Sequence, residues 1–323
     1  MKEDIPVTSW TRRITAIAAA SALAVGVAAC GDDNSSSSTG AGDGTTVKIA
    51  DKQFTESAIV AQAYAAGLRT QGFDAQVSSL ASTELADKAV RDGAIDVYPE
   101  YDGTSYLTVL KKTADAAPDS RDALFDEVTS AYAGRGLTAL PPAPYNNGNE
   151  VACTDDAVAA DNITDLTALG KASPKLVYSA NAEHLTREDG LPLLRKDYGV
   201  NFKKVITVDI ALRYTPIADG KAQCVYAFGT DPQLAQLPLQ LIKDDKGSFS
   251  GKVPFRTFPV VNTQWLDGLS ADAKTAFTDT LDAVSAGLTQ DKIQELNAAV
   301  DLDKEDPEVV AQSYVDSLGL GSK

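Results

Sequence analysis

The stretch DGAIDVYPEYDGTS (residues 92–105) decides how the chain is read. Gly93 ends a helix, residues 95–98 form a short apolar strand, and Pro99 is expected to stop that strand because proline brings no N–H to a sheet ladder. Polar and aromatic groups follow at once. In an open α/β sheet the ligand crevice lies outside the carboxyl ends of the strands. Tyr98, Glu100, Tyr101, Asp102 and Thr104 are therefore expected to face a cleft, with Tyr101 and Thr104 touching the ligand. The same residues would also fit half-buried packing tyrosines followed by an Asp102-Gly103 turn.

Upstream, residues 46–50 read as a strand with Val47 and Ile49 on one face, followed by the loop Asp51-Lys52-Gln53-Phe54. Thr55 is the expected N-cap of a helix running to about Gln71, with Ile59, Ala63 and Ala66 on its buried face. Residues 75–80 form a second strand, and Ser82 opens a helix with Leu85 and Ala89 inward. This β-α-β-α-β order implies a parallel sheet.

Downstream, residues 119–135 are helical, and Pro141, Pro142 and Pro144 with the polar run 145–149 mark a crossing between domains. The pattern then restarts. Strands are expected at 151–154, 176–179, 205–208 and 224–228, with helices near 165–169, 191–198 and 211–219. Residues 241–246 close that unit, 258–262 add one more strand, and helices at 271–286, 290–300 and 307–318 finish the chain. The expected fold is α/β with two lobes, each a mainly parallel sheet flanked by helices. Lobe 1 takes residues 46–146 and 253–323, lobe 2 takes 147–252, and two hinge crossings flank a cleft.

At 323 residues and 44% hydrophobic, the chain can bury cores for two such lobes. A formal charge of −16 leaves no basic face for nucleic acid and suits a cationic ligand. Arg12 and Arg13, the apolar run 14–29 and the small residues before Cys30 resemble a bacterial lipoprotein signal. By that resemblance residues 1–29 are removed, Cys30 is lipidated, and 30–45, rich in Ser, Gly, Asp and Thr, form a flexible tether. An uncleaved anchor is the alternative, although the run is short for a span. The protein is expected on the extracytoplasmic face of the cell membrane. There Cys153 and Cys224 are expected to pair, though two buried thiols would fit the same sequence. With His184 as the one histidine, neither a metal site nor a cofactor is expected.

The segments DKQFTES (51–57), DGAIDVYPEYDGTS (92–105), EHLTREDGLPLLRKDYGVNFK (183–203), ALRYTPIADGKAQCVYAFGTD (211–231), LIKDDK (241–246) and ELNAAVD (295–301) occur in the order found in one family. Over about residues 46–320 the chain resembles the substrate-binding proteins of osmoprotectant ABC importers, which take up glycine betaine, choline, carnitine and related quaternary amines. The resemblance implies a type II periplasmic-binding-protein fold and a box of tyrosines around a trimethylammonium group. Such a cation donates no hydrogen bond and is held by aromatic faces. It also implies an ABC permease and ATPase as partners, and a monomer.

By the same resemblance Tyr101 is a box tyrosine, Thr104 matches a ligand threonine, and Lys52, Gln53, Phe54 and Thr55 line the cleft. Arg187 matches an arginine for a ligand carboxylate, with a salt bridge to Glu188 or Asp189 as the alternative. Departures from the pattern lie at the box itself. In Asn147-Gly148-Asn149-Glu150 after the crossing, Asn149 stands where a tyrosine is expected, Phe228 precedes Thr230 and Asp231 in place of tyrosine, Phe255 is a stand-in for another, and His184 and Asp102 replace an aromatic and a threonine. The ligand is thus left open between betaine, choline, another compatible solute and a larger molecule with hydroxyls for Asn147, Asn149 and Asp102.

Two other classes compete. Asp96 and Glu100 could serve an enzyme as an acid/base pair, but the chain has no G-x-S-x-G elbow, phosphate loop or metal cluster. A tethered acidic two-lobed protein could also bind another protein or act as a sensor.

Overall fold

The computed structural model describes residues 40–249 and 251–320. The signal segment 1–29, the lipidation site Cys30 and tether residues 31–39 lie outside the described residues. Residues 40–45 do not belong to a flexible tether. Gly42 N donates to Gln71 O (2.8 Å) and Gly44 N to Gly72 O (2.9 Å), which fastens the segment to the end of a helix. A Cβ on Gly40 would stand 2.3 Å from Gln71 O, so glycine here permits a close approach, a role that composition does not separate from flexibility.

Among the described residues, β1 (Thr46–Asp51), β2 (Asp74–Ser79), β3 (Val97–Tyr101) and β4 (Leu137–Ala139) precede the first crossing. β5 (Asn149–Thr154), β6 (Val177–Ala180), β7 (Lys204–Thr207), β8 (Cys224–Phe228) and β9 (Leu239–Leu241) follow it, and β10 (Thr257–Asn262) follows the second. They form two sheets of one plan, β2-β1-β3-β10-β4 and β7-β6-β8-β5-β9. In each sheet three strands are parallel, and the strand arriving from the other sheet, β10 or β5, runs antiparallel to both of its neighbours. The crossings lie side by side: Asn147 N donates to Phe255 O (2.9 Å), and Phe255 N to Asn146 Oδ1 (2.7 Å).

Pro99 does not stop β3. It sits inside the strand opposite Pro259 of β10. Because Asp102 N donates to Arg256 O, the hydrogen-bonded pairs of this ladder fall at even positions of β3, and the two prolines meet where no bond is exchanged. Pro259 turns its carbonyl the other way, to Leu140 N (3.0 Å). Thr55 is not an N-cap either: the helix Thr55–Thr70 begins at it, and its hydroxyl donates to Asp301 (2.5 Å). Ser82 does cap its helix, accepting from Leu85 N, but Leu85 is 50% exposed, and Ala86, Asp87 and Val90 face inward instead. The expected helix 211–219 is divided into Ile210–Leu212 and Thr215–Ala218, with Pro216 in the first turn of the second, the position a proline tolerates.

The first sheet is covered by Thr55–Thr70 and by the C-terminal helices Ala271–Gly287, Gln290–Asp301 and Pro307–Ser317. Tyr64, Leu68, Phe258 and Phe277 are wholly buried in its core. The second sheet has apolar clusters around Leu194, Tyr178 and Cys224 and around Val225 and Ala227. Cys153 and Cys224 are register partners on β5 and β8 and form a disulfide across 71 positions of sequence. No helix among the described residues is long and apolar enough to cross a membrane.

Candidate ligand-binding cleft

The loop after β1 builds one wall. Asp51 Oδ1 accepts from Gln53 N (2.7 Å), and Gln53 takes φ 61°, a left-handed conformation that a non-glycine residue adopts at a tight turn. This turn throws Phe54 toward the second sheet, where it touches the cores of both lobes. The Lys52 side chain folds back: its Nζ lies 2.5 Å from Glu100 Oε1 and 4.9 Å from the centre of the Tyr101 ring. Gly103 lets the chain after β3 pass the second crossing, since a Cβ there would stand 2.4 Å from Pro254 O. Tyr101 and Thr104 are thereby set near Phe255 on the cleft wall.

The cleft between the lobes holds about 580 Å³, within the range of small-molecule sites. Of the residues nominated from sequence, Lys52, Gln53, Phe54, Tyr101, Thr104, Asn147, Asn149, Arg187 and Phe228 line it together, with Phe255 and His184. Its floor is a continuous row of rings. Tyr101 lies 6.1 Å from Phe54, Phe54 5.6 Å from Phe228, Phe228 5.0 Å from Tyr226, and Tyr226 stacks on His184 at 3.9 Å. Phe54 and Tyr226 thus join the aromatic surface that the sequence placed on Tyr101, Phe228 and Phe255. Tyr226 was missed, yet it stands two residues before Phe228 on β8 and so on the same sheet face, a signal available once Phe228 was nominated. Asn149 Oδ1 accepts from Tyr226 OH (2.6 Å) and fixes that ring.

Other nominated residues lie elsewhere. Tyr98 and Glu100 are wholly buried, and so is Asp102, which is held by Arg256 Nε (2.8 Å) and Arg256 N (2.8 Å) and cannot reach a ligand hydroxyl. Their side chains are taken by the sheet interior because β3 is buried along its whole length. Thr55 and Asp231 also stand outside the cleft wall: Asp231 receives Arg213 Nη2 (2.5 and 2.6 Å), Tyr214 OH (2.7 Å) and Phe228 N (2.7 Å). Arg187 lines the cleft, but its Nε and Nη2 go to Asp189 (2.8 and 2.5 Å) and its Nη1 faces Glu183 (3.6 Å), the salt-bridge alternative noted above. Every basic group near the floor is therefore already paired with a carboxylate. Burial holds His184 neutral, lowering its pKa to about 3.

Beneath the floor lies Glu56, which sequence reading passed over. It is buried, and five donors converge on it: Tyr101 OH (2.7 Å), Tyr145 OH (2.8 Å), Asn147 Nδ2 (3.0 Å), Thr230 Oγ1 (2.6 Å) and Asn297 Nδ2 (3.2 Å). Thr230 is thus a strut between the lobes, outside the cleft wall. Its hydroxyl also approaches Asn147 Oδ1 (2.9 Å), yet it has one hydrogen to give. Burial raises the Glu56 pKa, and a proton on Glu56 Oε2 would donate to Thr230 and leave that hydrogen for Asn147.

Comparison with known proteins places this geometry. The profile of the OpuAC family, the substrate-binding domain of ABC-type glycine betaine transport systems, matches residues 45–317. The chain belongs to that family. This substrate-binding domain is the solute-binding component of an ABC transporter, works on the extracytoplasmic side, and has the type II periplasmic-binding-protein fold. It is 26% identical over 284 residues to the glycine-betaine-binding protein of Pseudomonas aeruginosa, covering 84% of this chain and 87% of that one. It is also 26% identical over 229 residues to the ergothioneine transport permease/binding protein EgtU of Helicobacter pylori, covering 71% of this chain and 39% of that longer one. In fold it resembles the crystal structure of a glycine betaine/carnitine/choline ABC transporter, with a TM-score of 0.64 and 20% identity over 85% of this chain and 100% of that one.

Proposed function

We propose that the cleft captures a quaternary amine and that the lobes, hinged at the two crossings, carry it closed to the permease. The observation that carries this is the row Tyr101–Phe54–Phe228–Tyr226 together with basic groups that are all neutralised by carboxylates. Such a floor offers π faces to a cation at roughly 0.5–2 kcal/mol per contact and leaves no unpaired positive charge to repel it. Ligand contacts in both lobes bias the open–closed equilibrium toward closure. Glycine betaine, as named for the Pseudomonas relative, is the simplest member of the class. A ring-bearing betaine such as ergothioneine, named for the Helicobacter relative, is the second reading, and the 580 Å³ cleft with the stacked His184–Tyr226 pair favours it.

The same proposal has the mature chain begin at a lipidated Cys30, act as a monomer, and catalyse no reaction of its own. A thermal-shift screen of the domain after Cys30 against glycine betaine, choline, carnitine, ergothioneine, ectoine and proline tests it. A ligand that binds only the folded state raises stability by RT ln(1 + [L]/Kd), so millimolar binders register. A shift with a quaternary amine is expected. Shifts with ectoine or proline alone would remove the quaternary amine from the reading.

A further inference from the structure

We infer that the protein takes up a proton together with its solute: closing the lobes forms a proton site at Glu56, and opening them empties it. This rests on the hinged capture proposed above and is independent of which solute is captured.

Glu56 lies in the first turn of the helix Thr55–Thr70 in lobe 1, and Thr230 follows β8 in lobe 2. The contact of Thr230 Oγ1 with Glu56 Oε2 (2.6 Å) therefore crosses between the lobes. The same seam carries Asn297 Nδ2 to Thr230 O (3.2 Å) and Gln233 Nε2 to Asp301 Oδ2 (2.8 Å). It is one hydrogen short when Glu56 is ionised. Thr230 has a single hydrogen for two oxygens, Glu56 Oε2 and Asn147 Oδ1 at 2.9 Å, so one of the two contacts then holds no hydrogen. Turning the Asn147 amide over moves this gap without filling it. The amide oxygen then meets Glu56 Oε1, to which Asn147 Nδ2 donates at 3.0 Å in the present orientation. One proton on the carboxyl completes the network in either orientation.

The surroundings of Glu56 supply no cation to hold it ionised. All five groups bonded to it are neutral, and burial keeps Tyr101 and Tyr145 so by raising their pKa. Beyond β8, Arg213 is taken by Asp231; on the loop before the helix, Lys52 is taken by Glu100. Asp301, on Gln290–Asp301, accepts from Thr55 and Gln233. Burial raises the Glu56 pKa in this arrangement. When the lobes part, Thr230 leaves and water reaches the carboxyl, which returns toward an ordinary glutamate and ionises. The closed form thus binds the proton more tightly. Solute affinity is fully present below the ordinary glutamate pKa and is lost as pH rises through the raised one. Asp102 and Glu150, pushed up by burial to about 6 and about 7, titrate in the same range. Their charged neighbours, Arg256 and Asp244, lie in the same lobe as each, so opening does not detach them.

Calorimetric titration of glycine betaine and choline into the domain after Cys30, at one pH in phosphate and in Tris, counts the protons exchanged, because the two buffers differ in ionisation enthalpy. Net uptake is expected in the wild type and none in Glu56→Gln, which keeps its hydrogens at every pH. Wild-type affinity should fall at least about threefold between about pH 6 and about pH 8, one proton allowing at most about tenfold per pH unit. That of Glu56→Gln should stay level. No uptake in the wild type, or the same uptake in Glu56→Gln, overturns the inference while leaving solute capture intact. If neither solute binds, the cation reading fails, and the linkage is read without ligand from pulsed EPR distances between spin labels at Glu84 and Asp219, exposed positions on the two lobes. A closed fraction that falls with pH in the wild type and not in Glu56→Gln supports the proton site. A distribution indifferent to pH overturns it.

Discussion

Glu56→Ala will melt roughly 10 °C below the wild type and bind quaternary amines much more weakly, whereas Glu56→Gln will stay close to the wild type in stability. The truncation deletes the partner of five buried polar groups drawn from β3, the first crossing, the segment after β8 and the helix Gln290–Asp301. Each orphaned donor costs about 1–3 kcal/mol. These losses are not additive, because the donors share one site and can partly regroup, so a total of about 4 kcal/mol is expected. Tyr101 also loses the anchor that fixes its ring on the floor. Glutamine keeps an oxygen toward Tyr101, Tyr145 and Asn147 and presents an N–H₂ to Thr230. The Asn297 amide can turn its unpartnered Oδ1 toward the new donor. Thermal denaturation with ligand titration on both variants checks this. Equal losses for alanine and glutamine would mean that Glu56 works as a carboxylate anion.

The second large effect concerns the disulfide. Replacing Cys153 and Cys224 together by alanine should lower stability by about 4 kcal/mol, since the bridge closes a long loop and withdraws that freedom from the unfolded chain. The loop spans 71 positions and contains β6 and β7. A fall in Tm of roughly 10 °C is expected, measured by calorimetry on the double variant under non-reducing conditions. A Tm within a degree or two of the wild type would show that β5 and β8 hold register without the bond.

Much of this was legible in the sequence because it depends on local pattern. Gly93, Ser82 and the proline cluster punctuate elements, and Lys52, Gln53, Phe54, Tyr101, Thr104 and Phe228 sit at strand ends, where an α/β fold places ligands. What escaped depends on partners remote in sequence. Glu56 in the first turn of a helix reads as a dipole-matching residue, and its role appears once donors from residues 101 to 297 are brought around it. Pro99 reads as a stop because Pro259, 160 positions away, is not a visible partner. Asp102 reads as a cleft residue until Arg256 returns on the second crossing to bind it. Gly40 and Gly42 look like linker because close approach and flexibility call for the same residue.

The most direct measurement of the central claim, that aromatic faces in this cleft hold a positive charge, compares choline with 3,3-dimethylbutan-1-ol by calorimetric titration. The two have the same shape and the same hydroxyl and differ in carbon for charged nitrogen. With several rings contributing, choline should bind at least about 30-fold more tightly, a difference of about 2 kcal/mol. Equal affinities, or tighter binding of the neutral alcohol, would contradict a cation site and leave a merely apolar cleft.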